Sequence, residues 1–364
     1  MKKGNIIIFD GADKPMRSDI KTVPELQEGE VLIENLYTTL CGSDLHTFCG
    51  LRNEKTPTVL GHEIVGRILK FEETHNRLDY LGNTLKEGDV VTWTIFSSDP
   101  NSEWTALGMP QKANSLFKYG HAQIKGDDAF HGGLSDYCIL KKDTVILRIP
   151  EDLPLPIAAT INCAIATVSG GLRLAGDLNG KNVMITGMGL LGIICGAMCK
   201  DAGAAVVWAT DINEARLEQS RSFGVDKTFL LNENDTDFEN SLKETFPKNG
   251  VDVVFDMSGA PLAMEFGVKS LAVGGIAIWI GGVFHSRPIQ IDAEQVIRKL
   301  ISIKGLHNYN YEDFVSAVDF ITRNYRKYPF DDIVSKEFAL LDAQEAFQYA
   351  VKHKPLRVGI RISK

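Results

Sequence analysis

Residues 181–203 read KNVMITGMGLLGIICGAMCKDAG, and this stretch decides the fold of the central part of the chain. A short apolar run, a glycine-rich turn and a run with apolar residues at helical spacing follow one another directly. The next residues repeat the order, since AVVWATD predicts a strand and INEARLEQSRSFG an amphipathic helix that ends at glycine. VDVVFDMSG, PLAMEFGVKSLA and GIAIWIGG repeat it again. Strands separated by helices at this rhythm predict a doubly wound parallel sheet.

The hexapeptide GMGLLG at 187–192 matches the G-x-G-x-x-G pattern of dinucleotide sites. Gly187 suits the tight turn, Gly189 lets a pyrophosphate approach the backbone, and Gly192 permits close packing of helix on strand. The amides and the dipole at the helix start favour phosphates. The pattern alone is weak, and an incidental glycine turn is the alternative. Its position between a strand and a helix favours the dinucleotide site.

The carboxylate of Asp211 ends the second predicted strand, 24 positions after Gly187. A carboxylate there accepts hydrogen bonds from the ribose hydroxyls and repels a 2′-phosphate, so the expected cofactor is NAD rather than NADP. Arg216, one turn into the next helix, complicates this preference without reversing it, because it lies within reach of the same ribose or phosphate.

The first 150 residues have a different texture. EGEVLIENLYTTL, EGDVVTWTIF and LSDYCILKKDTVILRIP are short β-branched runs between turn residues, which predicts a mostly β domain. The final apolar run, LRVGIRI, is expected to return to this domain rather than extend the nucleotide-binding sheet. The predicted organisation is therefore a β-rich domain over 1–160, a nucleotide-binding domain over 161–303, and a return to the first domain over 304–364.

Composition limits the function classes. The formal net charge of −8 over 364 residues argues against a general nucleic-acid binder. No N-terminal signal peptide and no apolar run of membrane-spanning length is recognised, so the expected location is the cytoplasm and no membrane partner is expected. The six cysteines include no C-x-x-C pair, so a metal site must be assembled from distant segments.

Three separated residues make such a site plausible. Cys41 lies in CGSDLHTFCG, His62 in GHE at 61–63, and Cys163 in ATINCAIATV. A Cys2His set with an open fourth position is the pattern of a catalytic zinc. Taken singly, each residue is more simply a buried thiol or a hydrogen-bonded loop histidine. Taken together, they favour a metal site.

These motifs, in this order, resemble the zinc-dependent medium-chain alcohol and polyol dehydrogenases over about residues 25–361. The resemblance implies an α/β protein with a GroES-like β-rich catalytic domain and a Rossmann doubly wound parallel-sheet domain. It implies one catalytic zinc and NAD as cofactors, a small-molecule alcohol or carbonyl substrate, and a homodimer or homotetramer.

The resemblance also implies a role for individual residues. Cys41, His62 and Cys163 match the zinc ligands, and Glu63 matches a carboxylate beside the metal that can itself approach it. Ser43 and His46 match the groups that pass the substrate proton to solvent, and Asp44 is expected to orient a ligand. Further matches are Thr167, which packs on the nicotinamide, and Arg357, which contacts the cofactor pyrophosphate. Cys49 has no implied partner and is expected only to pack.

One expected feature of the family is missing from the sequence. Many members hold a second, structural zinc with four cysteines in the loop that here reads SSDPNSEWTALGMPQKANSLFKYGH. The matching positions are non-cysteine residues: Asp99, Ser102, Thr105 and Ala113. Hydroxyls and a methyl group cannot replace four thiolates, so one zinc per chain is predicted.

The substrate is the least constrained part of the prediction. GMPQKANSLFKYGH resembles a branch of the family associated with phosphonate metabolism, and sugar or cyclitol oxidation is also open. Four residues form either a cationic wall for an anionic substrate or a solvated basic loop: Lys112, Lys118, His121 and Lys125. Trp93 and Ile95 are expected near the pocket. The alternatives to the dehydrogenase are a zinc-free medium-chain reductase and a non-enzymatic nucleotide-binding protein.

Overall fold

The computed structural model describes residues 2–231, 236–246 and 250–362 and divides the chain into two compact units. Unit 1 comprises Met1–Ala166, Asn310–Arg326 and Phe330–Lys364, and unit 2 comprises Thr167–Tyr309 and Lys327–Pro329. The two main boundaries between the units lie six residues beyond the predicted domain boundaries, after residue 166 instead of 160 and after residue 309 instead of 303. The cause of the second difference is a strand at Ser302–Gly305, which belongs to the sheet of unit 2.

The first segment of unit 1 is mostly β, as predicted. Its strands are β1 (Lys3–Ile8), β2 (Arg17–Thr22), β3 (Val31–Thr39), β4 (Glu63–Phe71), β5 (Val90–Ser97), β6 (Phe117–Lys118), β7 (Tyr137–Leu140) and β8 (Thr144–Arg148). Its α-helices are short: α1 (Gly42–Phe48), α2 (Glu103–Ala106) and α3 (Leu155–Ala158). Two other helical turns are a 3₁₀ turn at Pro110–Lys112 and a π-helical turn at Ile161–Ile165.

Unit 2 holds a six-stranded sheet in which every described pair is parallel. Its elements are α4 (Ala166–Ala175), β9 (Asn182–Thr186), α5 (Leu190–Asp201), β10 (Val206–Asp211), α6 (Glu214–Arg221), β11 (Lys227–Leu230), α7 (Thr236–Thr245), β12 (Val251–Asp256), α8 (Pro261–Lys269), β13 (Leu271–Trp279), α9 (Ala293–Lys299) and β14 (Ser302–Gly305). The strand order β11-β10-β9-β12-β13-β14 is the Rossmann order, which confirms the doubly wound prediction.

The last segment completes unit 1. Its elements are α10 (Tyr311–Asn324), a 3₁₀ turn at Phe330–Asp332, β15 (Val334–Ala339), a 3₁₀ turn at Leu340–Asp342, α11 (Ala343–His353) and β16 (Arg357–Arg361). Strand β16 pairs antiparallel with β3, so the last strand returns to the first domain as the sequence predicted. The resulting sheet has eight strands in the order β15-β16-β3-β4-β5-β6, with β7 added at β3 and β8 at β5.

The apolar side chains explain why these elements form. In unit 2 the inner strands β9 and β12 are almost entirely buried and most of their residues are apolar, as expected for a covered parallel sheet. Trp208 lies in a core cluster of this unit with Phe229 and Phe246. Trp93, which was expected near the substrate pocket, is fully buried in a core cluster of unit 1 and packs edge-on against Tyr119.

One expectation about apolar runs is wrong. The helical stretch Leu155–Ala175, 21 residues long, is long and apolar enough to cross a membrane by length and composition alone. Within this stretch, 72% of the most apolar 18-residue segment is buried inside the structure. That burial is typical of a core helix in a globular domain, and the π-helical turn within the stretch carries Cys163.

Candidate active site

Helix α1 gathers several predicted residues in one short segment of unit 1. Cys41 is its N-cap residue, and Ser43, Asp44 and His46 lie within the helix. The Asp44 carboxylate accepts a hydrogen bond from the Cys41 backbone amide at 3.0 Å. Asp44 is the third residue of the helix, and its backbone in turn faces the Cys41 side chain, so the two residues form a capping box. The capping box fixes the start of the helix and therefore the position of the Cys41 side chain.

His62 is oriented by hydrogen bonding. Its Nδ1 lies 3.2 Å from Oδ1 of Asp44, and both side chains are buried. When Nδ1–H donates to this carboxylate, the lone pair of Nε2 is left available as a ligand. Ser43 Oγ lies 3.4 Å from the same Nε2. The structure thus brings the expected orienting carboxylate and the expected proton-carrying hydroxyl to the two nitrogens of one imidazole.

Cys163 completes the group from a distant segment. Its Sγ, on the π-helical turn, lies 4.0 Å from Sγ of Cys41. The ligand atoms of Cys41, His62 and Cys163 all lie within 4.8 Å of one another. Zinc bound tetrahedrally at about 2.3 Å from each sulfur separates two thiolates by roughly 3.8 Å, so this donor set and spacing fit zinc. Among the residues that the structure describes, no other such group of ligand side chains is found.

Glu63, predicted as a possible fourth ligand, is not part of this group. Arg357 donates from Nε and Nη2 to its two carboxylate oxygens, each at 2.8 Å. Thr39 Oγ1 donates to Oε2 of Glu63 at 2.5 Å. Because both oxygens are held in this way, Glu63 supports the site through Arg357, whose Nη2 also lies 3.7 Å from Cys41 Sγ.

This buried pair gives Arg357 a partner that the sequence did not indicate. The third guanidinium nitrogen, Nη1, donates to the Leu356 carbonyl oxygen at 2.9 Å. A pyrophosphate contact of Arg357 therefore stays a prediction, whereas its contact with Glu63 is a feature of the structure. The sequence carries no signal for this pair, since Arg357 begins strand β16 and a second arginine, Arg361, ends it.

The charges of the site favour a thiolate at Cys41. A hydrogen bond from Cys163, with the positive charges of Arg357 and His62, holds the pKa of the Cys41 thiol well below its usual value although burial opposes this. The hydrogen bond to Cys41 and burial raise the pKa of Cys163. Burial disfavours the imidazolium of His62, but Asp44 and Cys41 offset it and raise its pKa well above the usual value. The site therefore attracts a cation.

The glycine turn of unit 2 has the geometry that a dinucleotide requires. Gly187 has φ of +90°, and a Cβ there would lie 2.7 Å from Cβ of Ser258. A Cβ on Gly192 would lie only 2.1 Å from the Gly187 carbonyl oxygen, so helix α5 packs against the turn without a side chain. A Cβ on Gly189, the N-cap of α5, would meet no atom within 4 Å. That open space at a helix start suits a phosphate.

Asp211 is built into this turn. Its Oδ2 accepts a hydrogen bond from the Met188 amide at 2.6 Å, and its Oδ1 accepts one from the Asn213 amide at 2.9 Å. The residue thus links the end of β10 to the glycine turn, which the sequence did not show. Arg216 lies in the first turn of α6, where its amide donates to the Asn213 side chain. Thr167 is the first residue of unit 2, four positions beyond Cys163.

Hydrogen bonds hold the loop that carries Asp99, Ser102, Thr105 and Ala113. Ser102 caps α2, and its Oγ lies 2.9 Å from Oγ1 of Thr105. Thr105 Oγ1 donates to the Asp99 carbonyl oxygen at 2.9 Å, and Ala113 is buried. Three of the four positions thus contribute to a hydrogen-bonded turn. The number of zinc ions per chain stays a prediction.

The predicted cationic wall separates into two pairs. The His121 ring lies 4.9 Å from the ring of His62, and Lys118 is three residues earlier in the same turn. Lys112 and Lys125 are exposed.

Ile95, which was expected near the pocket, is buried. Cys49, which was expected to pack, is exposed at the end of α1.

The comparisons with known proteins agree with this architecture. Residues 27–151 match the alcohol dehydrogenase GroES-like domain, and residues 191–323 match the zinc-binding dehydrogenase model. L-threonine 3-dehydrogenase of Streptomyces avermitilis is 30% identical over 289 residues, which cover 78% of each chain. 5-exo-hydroxycamphor dehydrogenase of Pseudomonas putida is 27% identical over 326 residues, with 88% of each chain covered.

A solved structure shows the same fold over the full length. An alcohol dehydrogenase from Thermotoga maritima superposes with a TM-score of 0.94 and 23% identity, and each chain is covered completely. The fold, the two family matches and the Cys2His group lead to one conclusion. The chain belongs to the zinc-dependent medium-chain alcohol and polyol dehydrogenase family.

Proposed function

We propose that this protein is an NAD(H)-dependent zinc alcohol dehydrogenase that interconverts a small polar alcohol and its carbonyl compound. The observation that carries the proposal is the Cys41–His62–Cys163 group, with the Ser43 hydroxyl 3.4 Å from Nε2 of His62. A ligand set alone is also compatible with a structural metal. A hydroxyl directly beside the set favours proton transfer at the metal.

When bound, zinc supplies the Lewis acidity that eases deprotonation of a hydroxyl group, and the nicotinamide supplies the hydride acceptor. The side chains of unit 1 support this chemistry. Asp44 fixes the imidazole of His62 in the tautomer that presents Nε2. The Glu63 carboxylate holds the Arg357 guanidinium beside Cys41 Sγ, which favours the thiolate form of that ligand.

The proton leaves by way of helix α1 in this proposal. Ser43 accepts the proton of the substrate hydroxyl and donates its own toward His46. Residues three positions apart on a helix lie on the same face, so the hydroxyl and the imidazole are neighbours along α1. His46 is half-buried, so the residue keeps part of its surface in contact with solvent. His46 therefore provides the exit to solvent.

The proposed cofactor preference rests on Asp211. Its carboxylate lies at the end of β10 beside the glycine turn, where it disfavours a cofactor with a 2′-phosphate through charge repulsion. The open space over Gly189 accommodates the pyrophosphate. The relatives named above include dehydrogenases of an amino acid and of a terpene alcohol, so relatedness alone does not choose the alcohol.

The test is a screen of the zinc-loaded protein with NAD, in which NADH absorbance is followed over polyols, cyclitols and hydroxyalkylphosphonates. At least one alcohol is expected to be oxidised. Ser43→Ala is expected to lower kcat by about 10²-fold or more while the zinc content stays at the wild-type level, and Ser43→Thr is expected to keep most of the activity. Oxidation at the wild-type rate by Ser43→Ala would contradict the proton path.

Zinc-dependent oxidation of alcohols supports the proposal as a whole. Reduction of activated double bonds by a zinc-free protein would instead favour the reductase alternative. Binding of NAD(H) without turnover of any alcohol or carbonyl compound in the screen would favour a non-enzymatic nucleotide-binding protein.

A further inference from the structure

Lys118 lacks the charge partner that half-buried lysines normally have. It ends strand β6, and its side chain is partly shielded from solvent. In the part of the chain that the structure describes, its ammonium group makes no hydrogen bond or ion pair. Lys141 of the same unit, by contrast, forms ion pairs with Glu30 at 2.9 Å and Asp128 at 3.2 Å. An ammonium that is partly desolvated without a partner is unfavourable unless a ligand supplies the anion.

The backbone brings Lys118 close to the metal ligands. The carbonyl oxygen of Lys118 accepts hydrogen bonds from the amides of His121 and Ala122, which closes a tight turn. Within this turn a Cβ on Gly120 would lie 3.1 Å from Cβ of His62. The imidazole of His121 then packs on that of His62. The turn therefore lies directly against the segment that carries the histidine ligand.

A second cation belongs to the same neighbourhood. Oε1 of Glu54 lies 3.0 Å from Nδ1 of His121 and 2.9 Å from Nε of Arg52. The Arg52 amide donates to the His46 carbonyl oxygen, which ties this arginine to the end of helix α1. The single carboxylate of Glu54 is thus shared by Arg52 and His121. Glu54 therefore leaves the ammonium group of Lys118 without a hydrogen-bonded counter-charge.

The electrostatics of the group agree with this geometry. Burial, together with the positive charges of Arg52 and Lys112, lowers the pKa of Lys118, and Glu54 offsets only part of the effect. The ring of His121 and the guanidinium of Arg52 both contact the one carboxylate of Glu54. Three side-chain cations, Arg52, Lys118 and the exposed Lys112, thus lie near one carboxylate.

We infer that Lys118 and Arg52 form an anion-binding subsite beside the metal centre, and that the substrate is an alcohol carrying a phosphate, phosphonate or carboxylate group. This inference rests on the proposed function, since the subsite selects the alcohol on which the same centre acts. An uncharged polyol would leave the Lys118 ammonium without a counter-charge. Bound to an anion, the lysine gains a charge-assisted hydrogen bond.

The experiment measures binding and turnover by the zinc-loaded full-length protein. Calorimetry compares 2-hydroxyethylphosphonate, glycerol 3-phosphate and 3-hydroxypropanoate with their uncharged counterparts 1-propanol, glycerol and 1,3-propanediol. The wild type is expected to bind at least one anionic alcohol about 10- to 100-fold more tightly than its counterpart. Lys118→Gln is expected to remove this difference and Lys118→Arg to keep most of it.

Lys86→Gln is the matched control, because this lysine of unit 1 is exposed and the substitution removes the same charge. Equal binding of charged and uncharged alcohols by the wild type would overturn the inference, as would an unchanged preference in a folded Lys118→Gln protein. If uncharged alcohols are turned over without any dependence on Lys118, the inference fails and the proposed function stands. If anions bind through Lys118 but no alcohol is oxidised, the subsite stands and the proposed function fails. The relative affinities for phosphonate, phosphate and carboxylate identify the anionic group.

Discussion

The two binding regions of this protein are built in opposite ways. The proposed metal centre of unit 1 draws its candidate ligands from positions 41, 62 and 163, whereas the proposed nucleotide turn of unit 2 lies within six consecutive residues, 187–192. In the first region the function depends on side chains that orient other side chains. In the second it depends on the absence of side chains at Gly187 and Gly192. The distributed site should therefore be sensitive to residues that touch no ligand.

A feature shared by the two regions sharpens this difference. Each contains a buried carboxylate that holds neighbouring groups by hydrogen bonds, Glu63 in unit 1 and Asp211 in unit 2. Glu63 binds the charged group of Arg357, so its loss leaves an uncompensated charge. Asp211 accepts hydrogen bonds from two backbone amides, one of which the oxygen of an asparagine can still satisfy. Substitutions at the two sites should therefore differ greatly in their effect on stability.

The largest effect is expected from removal of a metal ligand. Cys163→Ser should lower the zinc content to near zero and reduce turnover by at least about 10³-fold, because the Lewis acid contributes several kcal/mol to transition-state stabilisation. Zinc per chain is measured by elemental analysis and turnover by NADH absorbance. Cys49→Ser is the matched control, since this cysteine is exposed and should leave both values unchanged. Full turnover in a protein verified to be free of zinc would refute the role of the centre.

The next effect concerns stability. Arg357→Met should lower the free energy of unfolding by roughly 3–5 kcal/mol, because it leaves the Glu63 carboxylate buried without its partner. Urea denaturation of the zinc-loaded protein measures this change. The double substitution Glu63→Gln/Arg357→Met removes both charges and should recover most of the loss. If the double variant is as unstable as the single one, the pair does not act as a charge pair.

A smaller effect is expected from the residue that orients His62. Asp44→Asn should weaken zinc binding by about 10- to 100-fold, because the amide no longer fixes the tautomer of the imidazole. Competition with a chromogenic chelator gives the affinity. Circular dichroism and the melting temperature check that helix α1 keeps its cap, since an asparagine side chain also accepts the Cys41 amide. An unchanged zinc affinity would show that Asp44 serves only as a cap.

The contrast between the regions also explains what could be predicted from the sequence. The glycine turn, the strands around it and the doubly wound order follow from local patterns, because consecutive residues form consecutive elements. The Cys2His set was recognised only as a combination, since each residue alone is compatible with ordinary packing. The sequence carried no signal for the pairing of Glu63 with Arg357, residues separated by 294 positions that meet through the return of β16 to β3.

The remaining differences have the same origin. The resemblance implied that Glu63 can approach the metal, whereas in the structure both of its carboxylate oxygens accept hydrogen bonds from Arg357 and Thr39. Arg52 and Glu54 were overlooked because a loop between α1 and β4 has no periodicity from which a contact with His121 follows. Long-range charge pairing of this kind depends on the tertiary fold and not on sequence spacing.

The smallest effect is expected in the nucleotide turn. Asp211→Asn should raise the ratio of kcat/KM for NADP to that for NAD by about 10-fold, because it removes the charge that repels a 2′-phosphate at short range. The asparagine oxygen can accept from the Met188 amide, but its NH2 group cannot accept from the Asn213 amide, so a modest loss of stability should accompany the change. Asp177→Asn, at an exposed position of unit 2, is the control and should leave the ratio unchanged. An unchanged ratio for Asp211→Asn, in a protein that circular dichroism shows to be folded, would mean that Asp211 serves the turn alone and that the cofactor preference is set elsewhere in unit 2. Because the ratio compares two cofactors on the same folded protein, the effect of Asp211→Asn on cofactor preference can be measured apart from its effect on stability, which the charge pair of unit 1 does not permit.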